Sequence, residues 1–213
     1  MQLIGMLDSP YVRRVAVALI AANVPFKHRP VSLFRHIPEF SQANPLLKAP
    51  TLVTDDGTAL MDSSVILDYL AAAYPGVAAL NPSQAPLRLR AARMTGLGLT
   101  VMEKAVQRYY EHALRPPEKA HAPWIERVMG QLAAGLAALD AEAPRGGWIA
   151  GDLGLSDMAV ACAFGFAANV AGDLVDTRPY ANLSAFCARA EALPAFRAAP
   201  AEDGVEAAVA FAG

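Results

Sequence analysis

Cysteine is scarce in this chain: there are two in 213 residues, Cys162 and Cys187. Each sits in an apolar or Ala-rich stretch. That excludes a disulfide framework, and their spacing suits no metal site, so no metal and a reducing compartment are expected. Both read as small buried hydrophobes. Charge is nearly balanced, at −2, which argues against a general nucleic-acid or anionic-membrane binder. Long hydrophobic runs are missing. The longest uncharged apolar stretch, MAVACAFGFAANVAG between Asp157 and Asp173, is shorter than the ~18–20 residues of a membrane span and reads as a buried helix. The N-terminus shows no basic-then-apolar signal region. A soluble, cytoplasmic protein is expected.

What is present is a core. The hydrophobic fraction is 54% and the charged fraction 18%, which excludes disorder. Much of the apolar content is alanine, a helix former. The length suits one large domain or two small ones.

The first third mixes periods. QLIGM reads as a buried strand. From Pro10, Val12, Val15, Ala16, Leu19 and Ile20 recur at helical spacing, with Arg13 and Arg14 on another face. Asn23 and Pro25 stop that helix. FKHRPV is a weaker strand, placed near an edge by Pro30. RHIPEFSQANP has room for a short helix. TLVTDDGTALM reads as a hairpin around Asp56-Gly57. A further helix puts Ile66, Tyr69, Leu70 and Ala73 on one face, with Ser63 as its N-cap.

Beyond the linker VAALNPSQAP the strand signals fade. Helices are marked by Met94, Leu97, Val101 and Ala105, by Trp124, Val128, Leu132, Leu136 and Leu139, and by Leu155, Met158, Ala159, Cys162 and Phe166. The last is apolar nearly all round, hence central. NLSAFCARAEAL and PAFRAA fit shorter helices, and the tail after Pro200 is expected to fray. The predicted fold is α/β plus all-α: a βαβαββα domain over residues 1–76, a linker at 77–86 and a helical domain over 87–213.

Three stretches in order carry a resemblance: SPYVRRV after the first strand, NPLLKAPTLV leading into the third, and MDSSVILDYL opening the next helix. With the helical second half, the chain resembles the glutathione S-transferase family, whose first domain is thioredoxin-like. The resemblance is strongest over residues 1–75. It implies glutathione as co-substrate, a small hydrophobic electrophile as second substrate, a detoxification role and a homodimer.

The resemblance also implies roles for particular residues. Ala49-Pro50 matches the family's cis-proline, which would turn the Ala49 N–H and C=O toward the cysteinyl backbone of glutathione. Asp62 and Ser63 would take the γ-glutamyl amine and carboxylate, although a capping residue with an acid in the first turn explains the same pair without a ligand. Lys48, His36 or Arg35 would hold the glycyl carboxylate. Ser9 stands where the omega class has cysteine. It reads equally as an N-cap before proline or as the hydroxyl that activates the thiol, with Tyr11 the lesser alternative. Serine forms no mixed disulfide, so conjugation is favoured over thiol–disulfide exchange. In GLSD, Gly154 to Asp157, glycine replaces the usual Ser/Thr cap, and this box reads as structural.

The second-substrate pocket is expected between the domains, lined by Leu7, Tyr109 and Tyr110, with Met6, Phe164 and Trp124 as further candidates. Two other functions share these residues. One is a non-catalytic ligand-binding or protein-interaction module. The other is a glutathione-dependent isomerase, dehalogenase or peroxidase.

Overall fold

The computed structural model describes residues 1–207. The described residues form two compact units: Met1–Pro82 together with 192–207, and Ser83–Glu191. The sequence suggested a second domain running from residue 87 onward. Instead, residues 192–207 group with the first unit, because the last helix packs on the first.

The first unit runs β1 (Gln2–Ile4), α1 (Pro10–Ala21), β2 (Lys27–Arg29), α2 (Ile37–Ala43), β3 (Thr51–Val53), β4 (Ala59–Met61), α3 (Ser63–Ala73) and a single turn, α4 (Pro75–Ala78). The sheet order is β2-β1-β3-β4. β1 pairs parallel with β2, Leu3 opposite His28. β3 lies antiparallel to β1 and to β4, with Leu52 opposite both Leu3 and Leu60. β2 is an edge strand, as Pro30 requires. The hairpin turns at Gly57, whose φ of +87° suits glycine, and Thr54 and Thr58 close it.

Leu3 and Leu52 of the sheet, Val12, Val15, Ala16 and Leu19 of α1, and Ile66 and Leu70 of α3 are all fully buried. Phe40 of α2 packs against Ile4 and Val31. Each such large side chain contributes ~1.5–3 kcal/mol by burial. On α3 the buried stripe is Ser63, Ile66, Leu67 and Leu70, an i, i+3, i+4, i+7 set. Tyr69, expected on that face, is 39% exposed, and Ala73 is exposed too.

The second unit is helical: α5 (Ala85–Ala113), α6 (Ala122–Glu142), α7 (Leu155–Gly165) continued by a π-helical turn (Phe166–Val170), and α8 (Ala181–Glu191), with a 3₁₀ turn at Pro117–Lys119. The α5 helix packs on both α6 and α7. Val101, Ala105, Val128, Leu132, Leu136 and Leu139 are completely buried. Every residue of α7 from Ser156 to Gly165 is buried, which makes it central. Gly98 permits the approach, since a Cβ there would lie 3.3 Å from the Ala159 backbone. Trp124 lies outside this core, 39% exposed.

Gly154 caps α7, and Asp157 three residues on accepts from the Gly154 N–H at 2.8 Å and from the Ile149 N–H at 2.8 Å. The box thus joins the 148–152 loop to the helix. Burial pushes the Asp157 carboxyl up to about 6, against the pull of those two N–H groups.

The chain from Ala192 onward carries α9 (Pro194–Arg197), packed on α1. Of the tail expected to fray, residues 201–207 are held by contacts given below, and 208–213 lie outside the described residues. Among the described residues no helix is long and apolar enough to cross a membrane. No His/Cys/Asp/Glu group among them could hold a metal ion.

Candidate functional site

The first loop begins at Gly5, which donates to the Arg29 carbonyl at 3.0 Å. Its φ is +138°, and a Cβ there would sit 2.6 Å from Val12 Cγ2. Only glycine lets the strand pass so close to the first turn of α1. The Ser9 N–H donates back to the Met6 carbonyl at 3.2 Å. Ser9 is the N-cap of α1, with Pro10 at the first helical position and no acid in the first turn. Its Oγ accepts from the Val12 N–H at 3.5 Å, the outer limit of a hydrogen bond. Ser9 is half-buried, and its hydroxyl proton has no acceptor among the described residues. The result is a hydroxyl donor at the positive end of a helix. Beside it, the Asp8 carboxyl is raised above its ordinary value by burial and by the charge of Asp203.

The second element is the loop from Asn44 to Thr51. Asn44 is buried, 1% exposed. Its Nδ2 donates to Thr51 Oγ1 at 2.9 Å and to the Lys48 carbonyl at 3.4 Å, while its Oδ1 accepts from the Leu46 N–H at 3.0 Å. Thr51 Oγ1 donates to the same Lys48 carbonyl at 2.7 Å. These bonds brace a loop in which Leu47 has a φ of +50° and the Ala49–Pro50 peptide is cis, as expected. Among the described residues neither the N–H nor the C=O of Ala49 is hydrogen-bonded. The sequence marks Asn44 only as a turn former before Pro45.

At the start of α3 the structure corrects the expected cap. Asp62 is the N-cap, its Oδ1 accepting from the Ser64 N–H at 2.9 Å. Ser63 is the first helical residue, 2% exposed. Its hydroxyl accepts instead from Arg14 Nη1 at 3.2 Å, as does that of Ser64 at 3.2 Å. Asp62 has a φ of +70°, a region that costs a non-glycine residue ~1–3 kcal/mol, and its carboxylate is exposed. Arg14 is therefore no surface base: it is 3% exposed and joins α1 to α3. Arg13 is equally buried. Its Nε donates to the Ala199 carbonyl at 2.8 Å, and its guanidinium lies 5.3 Å from the Phe196 ring centre. Helical periodicity shows two cations off the apolar stripe, but it cannot show that chain from the C-terminus covers them.

The three candidate bases differ in partners. Lys48 is exposed, with its side chain unpaired among the described residues. His36 Nδ1 accepts from the Ser32 N–H at 3.2 Å. Arg35 is ion-paired to Asp203 at 2.5 Å.

A family model described as Glutathione S-transferase, N-terminal domain matches residues 3–78, and one described as Glutathione S-transferase, C-terminal domain matches 122–189. Maleylacetoacetate isomerase of Pseudomonas aeruginosa is 31% identical over 200 residues, 87% of this chain and 89% of its own. The chain belongs to the glutathione S-transferase family. Two solved glutathione S-transferases are similar in fold. One, from Methylobacterium radiotolerans in complex with glutathione sulfonate, has a TM-score of 0.84 at 28% identity, covering 92% of each chain. The other, from Methylobacillus flagellatus with glutathione bound, has a TM-score of 0.82 at 28% identity, covering 93% of this chain and 98% of its own.

Of the residues expected to line a second-substrate pocket, Leu7 lies in the core. It is 0% exposed, a core side chain with no surface to offer. Tyr109 is half-buried, 6.3 Å from Tyr110 and edge-on to Phe166 at 6.1 Å between ring centres. Tyr110 is 38% exposed.

Proposed function

We propose that this protein is a glutathione transferase in which the Ser9 hydroxyl holds the glutathione sulfur as a thiolate for attack on a small hydrophobic electrophile. The observation that carries this reading is the half-buried Ser9 hydroxyl at the N-terminus of α1, its proton unassigned and its first helical turn free of acid. A free thiol, with pKa ~8.5, is only a few per cent ionised at neutral pH. Lowering it by about two units takes ~2.7 kcal/mol. One charge-assisted hydrogen bond contributes ~1.5–3 kcal/mol and the helix end ~0.3–1, so the two suffice. The thiol proton leaves to solvent. Ser9 keeps its own proton and donates it as a hydrogen bond to sulfur. The thiolate then forms the C–S bond while the electrophile expels a leaving group or takes up a proton from water.

The remaining assignments follow the same reading. Ala49 offers its unpaired N–H and C=O to the cysteinyl backbone, next to Pro50. Asp62 accepts from the γ-glutamyl amine, and the Ser63 amide end of α3 receives the carboxylate. Lys48, His36 and Arg35 are the bases for the glycyl end. The working form is a homodimer, in keeping with the exposed apolar side chains Leu46 and Val65, 71% and 54% exposed.

A second reading, glutathione-dependent isomerisation, is favoured by the 31% identity to the isomerase of Pseudomonas aeruginosa. The same thiolate would add to a conjugated double bond, allow rotation and be expelled. Calorimetry with glutathione tests the shared reading: micromolar to millimolar binding supports it, and no binding at millimolar concentration sinks it. Thiol consumption during turnover separates the two. A transferase consumes one glutathione per product, an isomerase none.

A further inference from the structure

Residues 199–207 are pinned to the first unit at three places. Arg13 Nε donates to the Ala199 carbonyl at 2.8 Å. Asp203, beside the turn glycine Gly204 (φ +77°), pairs with Arg35 Nη2 at 2.5 Å. The Ala207 N–H donates to His28 Nδ1 at 3.0 Å. His28 is 3% exposed, and its other nitrogen, Nε2, faces the Gly5 carbonyl at 2.8 Å. An amide N–H only donates and a carbonyl only accepts, so the ring is held neutral with its proton on Nε2. Ala207 therefore sits against His28 of β2, whose ring also meets Gly5 at the start of the Ser9 loop. It also carries a carboxylate onto one of the bases expected to meet a ligand carboxylate.

We propose that Asp203 is a built-in competitor, a latch whose carboxylate occupies Arg35 in the free protein and yields it to the glycyl carboxylate of glutathione. The inference rests on the glutathione reading given above. One carboxylate replaces another on the same guanidinium, so no charge in the site is left unpaired. Arg35 and Asp203 side chains are 55% and 50% exposed, so the displaced carboxylate passes straight into water. The anchors at Arg13 and His28 are buried, so the segment stays attached while Asp203 swings away. Displacement also removes a negative charge that acts on Asp8, the neighbour of Ser9.

Calorimetry on the full chain and on Asp203→Asn tests this with two peptides, glutathione and γ-glutamylcysteine, which lacks the glycyl carboxylate. An exposed ion pair is weak, worth about fivefold in affinity at most. Asp203→Asn should therefore bind glutathione about twofold to fivefold more tightly, with γ-glutamylcysteine unchanged. Arg35→Gln should abolish that gain when combined with it. Equal tightening of both peptides, no change, or weaker glutathione binding would overturn the latch and leave the glutathione reading standing. If neither peptide binds either protein, the glutathione reading fails and the latch with it.

Discussion

Ser9 and Asp62 each cap a helix and are each proposed to meet glutathione, which is why their residue types alone left two interpretations open. At Ser9 the cap bond to the Val12 N–H is long, 3.5 Å, so its loss costs little: Ser9→Ala should lower stability by ~0.5–1 kcal/mol, the low end for a cap. Asp62 can be tested by separating cap from charge. Asparagine accepts the Ser64 N–H as aspartate does and tolerates positive φ. Asp62→Asn should therefore keep stability within ~0.5 kcal/mol, read by denaturant midpoint. It should weaken glutathione by about tenfold or more, the cost of one charge-assisted bond. Unchanged affinity would remove Asp62 from the site. The hydroxyl, the acid and the proline were legible in the sequence because each sits at the punctuation of an element. Arg14 was not, because its partners Ser63 and Ser64 lie 49 and 50 residues away.

At the scale of elements, the braced 44–51 loop carries the backbone proposed to meet the ligand, and Asn44 is its keystone. Asn44→Ala leaves the Leu46 N–H without its acceptor and Thr51 Oγ1 without its donor. Unfolding should show a loss of ~2–3 kcal/mol, and glutathione affinity should fall with it. Asn44→Asp, which still accepts from Leu46, should recover only part. Two buried groups give the elements opposite pH responses. Asp157 is raised from 3.8 to about 6, so the native state binds its proton more readily. The stability it contributes grows as pH falls from about 6 to 3.8 and is lost as pH rises through about 6. The stability gap between wild type and Asp157→Asn should widen in favour of wild type on acidification. His28 is lowered from 6.5, chiefly by burial. Its contribution is present above 6.5 and lost as pH falls below it, so the gap to His28→Gln should narrow over that window. Denaturation curves across this pH range read both signs. The element order was legible because strand and helix periods differ and Gly, Pro and Asn mark the breaks. The fully buried faces of α3 and α6 were misread at Tyr69 and Trp124. Amphipathic aromatic side chains sit at stripe edges as readily as within them.

For the whole molecule, the division into two units was visible as the fading of strand signals beyond the linker at 77–86. The return of residues 192–207 to the first unit was not. PAFRAA looks like any short helix, and nothing in its period says that Arg13 meets Ala199 and Phe196 across 186 and 183 residues. A consequence follows for ligand response. Glutathione at a hundredfold over its Kd should stabilise the protein by ~2.7 kcal/mol. Amide exchange should slow around residues 9–15, 47–51 and 62–66, with 83–191 changed far less. Protection confined to 83–191 would place the ligand elsewhere.

The central claim is that Ser9 lowers the glutathione thiol pKa. The direct measurement is a pH titration of thiolate absorbance for glutathione bound to the wild-type protein and to Ser9→Ala. The account predicts a bound thiol about two units below its free value in the wild type, with most of that shift lost in the variant. A bound thiol that titrates alike in both proteins would contradict it and reduce Ser9 to the cap of α1.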